Sequence, residues 1–233
     1  MAKGSIQNKD SFLNHIAEQL GRERNTDVPL PEWEYQPQWD VYQDKTADEL
    51  CGLFKKNSEE KDTHVLETTK QQLPEMMEHV METYGGAPMV STDDERFGTY
   101  GLTDVLAKNG VHQWDPEQGK ENIENAKAAN IGFLFSDVSL AESGTITQFN
   151  DKHIARAVSL LPTTYAAIVP KSSIVQRMTQ ATERIHKQVE DGQNVSSYIN
   201  FISGPSNSAD IEMNMVVGVH GPVKAVHIMV LDA

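Results

Sequence analysis

The chain has 233 residues, a formal net charge of −14 and a sequence pI of about 4.9. This acidic balance argues against a nucleic-acid-binding protein, because phosphate contacts need clustered Lys and Arg. Its single cysteine, Cys51, excludes an intrachain disulfide and any iron–sulfur cluster held by this chain alone. No apolar leader or membrane-length apolar window occurs, so we predict a soluble, cytoplasmic protein.

The acidic residues are concentrated in the first half of the chain. Before Ala126 there are 25 Asp and Glu against 12 Lys and Arg, and from Ala126 onward there are 9 against 8. This asymmetry indicates either a solvated acidic surface or a half that docks on a basic partner. Composition does not separate the two.

We predict that residues 1–43 form a helix followed by an extended arm, and that residues 44–233 form one α/β domain. Asp10 or Ser11 is predicted to cap the helix, which Gly21 ends. The apolar face of this helix consists of Phe12, Ile16 and Leu20. Residues 28–39 contain three prolines and three aromatic residues, which predicts an arm that packs on its own domain or serves as a partner-binding strap.

Helical and strand patterns alternate from residue 44 to residue 135. Helices are predicted over residues 46–56, 71–84, 99–108 and 121–129. Strands are predicted over residues 63–67, 88–90, 111–114 and 131–135. This alternation favours a parallel-rich sheet flanked by helices.

The second half is more apolar and richer in turns. Two short strands are predicted on either side of Glu142-Ser143-Gly144, followed by a helical turn over residues 151–156 that Asp151 caps. A strand is predicted to end at Val169, and a helix to run over residues 171–190. Further strands are predicted over residues 198–202, 213–217 and 225–231.

Several catalytic motifs are absent from the sequence. It contains no Gly-x-Gly-x-x-Gly after a strand, no Walker A sequence, no Gly-x-Ser-x-Gly and no His-Glu-x-x-His. These absences argue against a dinucleotide enzyme, a P-loop NTPase, a serine hydrolase and a zincin.

The first candidate site is the segment from Glu142 through Ser143 and Gly144 to Thr145. A carboxylate at a strand break could be a nucleophile or a general base, with Gly144 allowing close backbone approach. The segment is equally consistent with a turn whose Glu142 faces water.

The second candidate is Gly204-Pro205-Ser206, whose backbone N–H groups could form an anion-binding nest, with the carboxylates Asp210 and Glu212 following. The alternative is a structural turn in which Asp210 is a cap.

The third candidate is the segment Gly218 to Gly221, which contains His220. This imidazole could titrate near neutral pH, although a structural histidine is the commoner case, and no other ligand stands at metal-binding spacing to it. Arg156 could bind a carboxylate or phosphate bidentately, or pair with a nearby acid. We expect the turns after Ile202 and Val217 to meet the Glu142 corner in one cavity.

At these same stretches the sequence resembles the LUD domain of the lactate utilization proteins. The resemblance rests on residues 137–146, 159–162, 201–206, 208–212 and 218–222, which match the family in order and spacing, and it covers residues 44 to 231. The opening residues and the lack of cysteine-rich modules resemble the short C type of that family.

The resemblance implies an α/β fold with a Rossmann-like sheet, similar to the sugar-phosphate isomerase and CoA-transferase group. It implies a role in oxidising L-lactate to pyruvate beside partner proteins of the A and B types, which carry the iron–sulfur clusters, with no cofactor in this chain. The alternative is a free-standing CoA-transferase or isomerase that uses Glu142, with Arg156 or His220 holding the substrate's charge. Ser143 stands where a CoA-transferase has Asn. A third alternative is a vestigial fold kept for assembly.

Overall fold

The computed structural model describes residues 6–29, 31–209 and 213–233. The chain divides into two units, Met1–Pro37 and Gln38–Ala233. In the first unit, helix α1 spans Lys9–Gln19 and begins at Asn8, which has a φ of +59°, rather than at a side-chain cap on Asp10 or Ser11. Phe12, Ile16 and Leu20 form the predicted stripe, but all three are exposed.

The second unit is built on a six-stranded parallel sheet in the order β1-β12-β7-β4-β2-β3. Its strands, in chain order, are β1 Thr63–Thr68, β2 Met89–Ser91, β3 His112–Gln113, β4 Ile131–Phe135, β7 Thr164–Pro170 and β12 Lys224–Val230. The predicted parallel, Rossmann-like α/β fold is confirmed.

A second, four-stranded sheet has the order β8-β5-β6-β9. It contains β5 Val138–Leu140, β6 Thr145–Asn150, β8 Ile174–Val175 and β9 Tyr198–Ile202. The predicted break at Glu142-Ser143-Gly144 is therefore the turn between the antiparallel strands β5 and β6. Two further two-residue strands, β10 Asn207–Ser208 and β11 Val216–Val217, pair with each other.

The helices of the second unit cover both faces of the parallel sheet and pack on the four-stranded sheet. They are α2 Ala47–Glu59, α3 Leu73–Thr83, α4 Arg96–Thr99, α5 Thr103–Lys108, α6 Lys120–Ala128, α7 Ala157–Leu160 and α8 Met178–Glu190. Alternate side chains of a strand point to opposite faces. In β12, Val226 and Ile228 therefore join the core beneath α3–α5, whereas Ala225 and Met229 join the core beneath α2.

Four predicted elements differ from the structure. The helical turn predicted over residues 151–156 does not form: Asp151 accepts the backbone N–H groups of His153 and Ile154 in a bend, and helix α7 begins only at Ala157. The helix predicted over residues 171–190 starts only at Met178, because Ile174 and Val175 pair with the edge of β5 instead. The helix predicted over residues 99–108 is split at Gly101, whose φ is +71°. The strand predicted over residues 213–217 is limited to Val216–Val217.

Candidate functional site

The turns after Ile202 and Val217 meet in one cavity of about 280 Å³. It brings together five predicted residues: Gly204, Pro205, Ser206, His220 and Gly221. Their backbones are joined directly, because Ser206 N–H donates to Pro222 O and Gly218 N–H donates to Ser206 O, each at 2.8 Å. The Ser206 N–H, which was predicted to belong to an anion nest, is thus already used within the chain.

The Glu142 corner touches this region through hydroxyl groups rather than through its carboxylate. Ser143 Oγ lies 2.6 Å from Thr145 Oγ1, which lies 2.5 Å from Ser203 Oγ beside the cavity. Glu142 Oε2 accepts a hydrogen bond from Arg177 Nε at 2.9 Å. The Glu142 side chain is not part of the cavity wall.

The predicted glycines make close approaches, but to the chain itself. A Cβ on Gly144, whose φ is +60°, would lie 2.4 Å from Ser58 N. On Gly204 it would lie 2.4 Å from Lys61 O, and on Gly218 2.6 Å from a methyl group of Val223. These three glycines let loops pack on α2 and on the start of β12.

A buried polar network connects the Gly144 and Gly204 turns. His227 on β12 lies 3.3 Å from Ser58 Oγ through Nδ1 and 3.3 Å from Tyr165 OH through Nε2. Ser58 Oγ donates to Gly144 O at 3.3 Å, and Tyr165 OH donates to Gly204 O at 3.4 Å. Burial lowers the pKa of His227 to about 3, so its imidazole is neutral at pH 7. Sequence reasoning missed this histidine, whose only signal is its place inside an apolar strand.

The carboxyl edge of the parallel sheet carries a second opening, which sequence reasoning also missed. After β2 the chain forms β3 at one edge of the sheet, whereas after β4 it forms β7 on the opposite side. The order of the strands therefore reverses between the neighbouring strands β2 and β4. Ligands of open α/β sheets bind at such switch points. A crevice of about 640 Å³ lies here, formed by Asp93, Asp94, Glu95, Arg96, Asp137, Asp151, His153 and Ile154.

Two ion pairs of Arg96 and a contact between Asp93 and His153 organise this crevice. Arg96 Nη2 bridges Asp94 at 2.6 Å and Asp137 at 2.7 Å, which joins the ends of β2 and β4. Burial raises the pKa of the Asp137 carboxyl, and the Arg96 guanidinium opposes that rise. Asp93 Oδ2 lies 2.6 Å from His153 Nδ1. The only sequence signal was the position of these acids just after apolar strands.

Arg156 lies in neither of these openings. It belongs to a third cavity of about 560 Å³, with Trp114, Lys152 and Tyr198 in its wall, which meets the crevice at Asp151. The structure therefore brings the Gly204 and His220 turns together and places Arg156 in a separate cavity. Asp210 and Glu212 lie outside the described residues.

The described part of the chain has neither a metal-binding cluster nor a membrane-spanning helix. Within residues 6–29, 31–209 and 213–233, no group of three or more His, Cys, Asp or Glu side chains is placed to hold a metal ion. Among the same residues, no helix combines the length and apolar character needed to cross a bilayer.

The fold and these loops define an α/β protein with a Rossmann-like parallel sheet. The profile of the LUD domain matches residues 51–231, and the chain belongs to the LUD domain family. It is 49% identical to lactate utilization protein C of Bacillus subtilis (strain 168) over the full length of both chains. It is also 49% identical to lactate utilization protein C of Geobacillus sp. (strain WCH70), over all of this chain and 99% of that protein.

A solved structure shares the fold. A crystal structure of a DUF162 family protein from Deinococcus radiodurans superposes with a TM-score of 0.58 and 18% sequence identity. The match covers 80% of this chain and 99% of that one. The likeness concerns the architecture alone.

Proposed function

We propose that this chain takes part in lactate utilization, as a subunit without a redox centre in the oxidation of L-lactate to pyruvate. The observation that carries the proposal is the full-length likeness to lactate utilization protein C, 49% identical over 100% of both chains. Similarity over the full length of both chains, without insertions of domain size, is stronger support for a shared role than a shared fold alone.

The proposal assigns electron transfer to iron–sulfur partner proteins. A cluster is held by about four thiolates, or two with two histidines. This chain has only Cys51, which is buried against the core, and burial raises the pKa of its thiol. Electrons removed from lactate would therefore pass through clusters on other chains.

Exposed aromatic residues in the first unit support a docking role. Trp33 is 74% exposed and Tyr35 is 78% exposed, and Phe12 lies on the exposed face of α1. Tyr, Trp and Phe are enriched at protein–protein interfaces relative to the rest of the surface. We assign contact with the iron–sulfur partners to this unit.

The experiment is complementation of a strain lacking this gene on L-lactate, with pyruvate as the control carbon source. The deletion strain is expected to grow on pyruvate and to fail on L-lactate until the gene is restored. A tagged chain purified from lactate-grown cells is expected to bring iron–sulfur proteins with it. Normal growth of the deletion strain on L-lactate would refute the proposal.

The same assay tests the alternative role of Glu142 as a nucleophile. Because its carboxylate is paired with Arg177 and lies outside the cavity walls described above, we expect Glu142→Gln to support growth on L-lactate. Loss of growth with a stably folded Glu142→Gln chain would instead favour the hypothesis that the protein is an enzyme that uses Glu142.

A further inference from the structure

The cavity that contains Arg156 holds two cations that have no acidic partner among the described residues. In the described part of the chain, neither the Arg156 guanidinium nor the Lys152 ammonium forms an ion pair or a side-chain hydrogen bond. The carboxylate in the wall is Asp151, whose Oδ1 accepts the backbone N–H groups of His153 and Ile154 at 2.7 Å. Two cations thus face one carboxylate, in a chain whose net charge is −14. This local excess of positive charge favours an anionic ligand.

Two aromatic rings stand in the wall beside these cations. The Arg156 guanidinium lies over the Tyr198 ring, 4.9 Å from its centroid, which leaves its edge N–H groups free to donate. The Trp114 indole N–H donates to Lys152 O at 3.1 Å, and this bond fixes the indole beside the lysine. Because Arg156 covers the Tyr198 ring, the Trp114 indole is the face that can stack on a planar ring, irrespective of that ring's substituents.

A buried acceptor in the same wall has no donor. Asn150 is 6% exposed, and its Nδ2 donates to Gln148 O at 2.9 Å and Tyr198 O at 3.3 Å. Because both partners are carbonyl oxygens, the amide orientation is fixed, and Oδ1 is left without a hydrogen bond among the described residues. Because this oxygen is itself buried, a donor from a ligand would reach it only after the Asn150 side chain shifts.

The cavity volume sets the scale of the ligand. At about 560 Å³ it falls within the ~300–1,000 Å³ typical of small-molecule sites. A three-carbon hydroxy acid would leave most of this space and the Trp114 ring uncovered. The combination of two cations and an aromatic face fits an anion joined to a planar ring.

We propose that this cavity binds a mononucleotide, with its phosphate on Arg156 and Lys152 and its base against Trp114. This proposal is independent of the proposed role in lactate utilization, because nucleotide binding is measured on the purified chain without any partner. Such a site needs no Gly-rich phosphate loop, because the side chains of Arg156 and Lys152 would bind the negative charge of the phosphate.

The test is calorimetric titration of the full-length chain with AMP and with flavin mononucleotide, which differ in ring size. Adenosine lacks the phosphate and ribose 5-phosphate lacks the base, so each is expected to bind at least about tenfold more weakly than the matching nucleotide. Arg156→Ala is expected to weaken nucleotide binding about tenfold to a hundredfold, as the loss of a charge-assisted contact predicts. Arg184→Ala is the matched control, because it removes the same charge from the exposed face of α8.

Trp114→Phe is expected to retain most of the nucleotide affinity, whereas Trp114→Ala is expected to lose it. The melting temperature of each variant is measured in parallel to check that it is folded. Three results would overturn the proposal: no heat with either nucleotide at millimolar concentration, equal binding by the Arg156→Ala and Arg184→Ala variants, or equal binding of AMP and adenosine. Arg156-dependent binding of L-lactate with no preference for a ring would also overturn it, in favour of a small carboxylate.

Discussion

Gly144 allows the close backbone approach that the sequence predicts, but the group that approaches it belongs to the chain itself and not to a ligand. The sequence placed it beside Glu142 as a glycine that admits a ligand's close approach, whereas Ser58 of α2 occupies the space in front of it. The residue combines a φ of +60° with a gap too small for a Cβ. Its role in the structure is to hold the β5–β6 turn against α2.

We therefore expect Gly144→Ala to destabilise the protein strongly. The change incurs about 1–2 kcal/mol for a left-handed alanine and a further ~1–3 kcal/mol for the clash with Ser58. Gly192→Ala is the matched control, because Gly192 has a φ of +67° but nothing within 4 Å of its Cβ position. Urea unfolding of both variants measures the difference, and equal losses would show that α2 yields to the new methyl group.

His227 gives the stability of this protein a specific pH dependence. Its pKa is about 3 in the folded chain and 6.5 as the ordinary value, because burial disfavours the imidazolium. Between these values the unfolded chain binds one more proton at this site than the folded chain. The free energy of unfolding is therefore expected to fall by about 1.4 kcal/mol for each pH unit below 6.5, and to be independent of His227 above it.

The measurement is urea unfolding at pH 5 and pH 7 for the natural chain and for His227→Gln. Glutamine can still hydrogen-bond to Ser58 and Tyr165 but does not titrate. The variant is expected to lose about 2 kcal/mol less than the natural chain between the two pH values. The same pH dependence in both chains would assign the effect to other groups.

At the scale of elements, Arg96 holds the ends of β2 and β4 together across the switch point. Asp94 is 3% exposed and Asp137 is 19% exposed at the side chain. Removing Arg96 would leave two carboxylates close together and poorly solvated.

Arg96→Ala is expected to lower the free energy of unfolding by about 2–3 kcal/mol, below the value for a fully buried pair because Arg96 is partly exposed. Adding Asp137→Asn should restore part of this loss, since it neutralises one stranded carboxylate. Lys108→Ala, which breaks an exposed pair with Glu78, is the control and is expected to cost less than about 1 kcal/mol. Chemical denaturation of the four chains tests this, and a loss for Arg96→Ala no larger than for Lys108→Ala would contradict it.

How far the sequence predicts this molecule depends on the range of the interactions involved. Local patterns predicted α2, α3, β4 and the β5–β6 turn, because periodicity and glycine positions record them directly. They misassigned residues 171–177, where pairing of Ile174 with a strand 35 residues earlier decides the conformation. The crevice at Asp93 and the His227 network were missed for the same reason, since sheet order and buried contacts are set by distant segments.

At the scale of the whole molecule, the two units contribute differently. The buried hydrophobic clusters draw all their members from Tyr42 onward, whereas Ala17 is the buried hydrophobic residue found among the described residues of the first unit. The first unit instead displays the exposed aromatic residues Trp33 and Tyr35. The proposed partner binding would therefore lie in a different part of the chain from the buried core.

Removal of residues 1–37 is therefore expected to leave stability intact and to abolish function. The melting temperature should stay within about 4 °C, equivalent to about 1 kcal/mol, because none of the cluster members is lost. Growth on L-lactate should fail, and the full-length Trp33→Ala/Tyr35→Ala variant should fail likewise while melting normally. Lys3→Ala/Lys9→Ala serves as the control for changes in the same unit that leave its aromatic residues in place. A fall of more than about 10 °C on truncation would show that the first unit supports the core. Unimpaired growth of the truncated chain would instead favour docking of a basic partner on the acidic residues that precede Ala126.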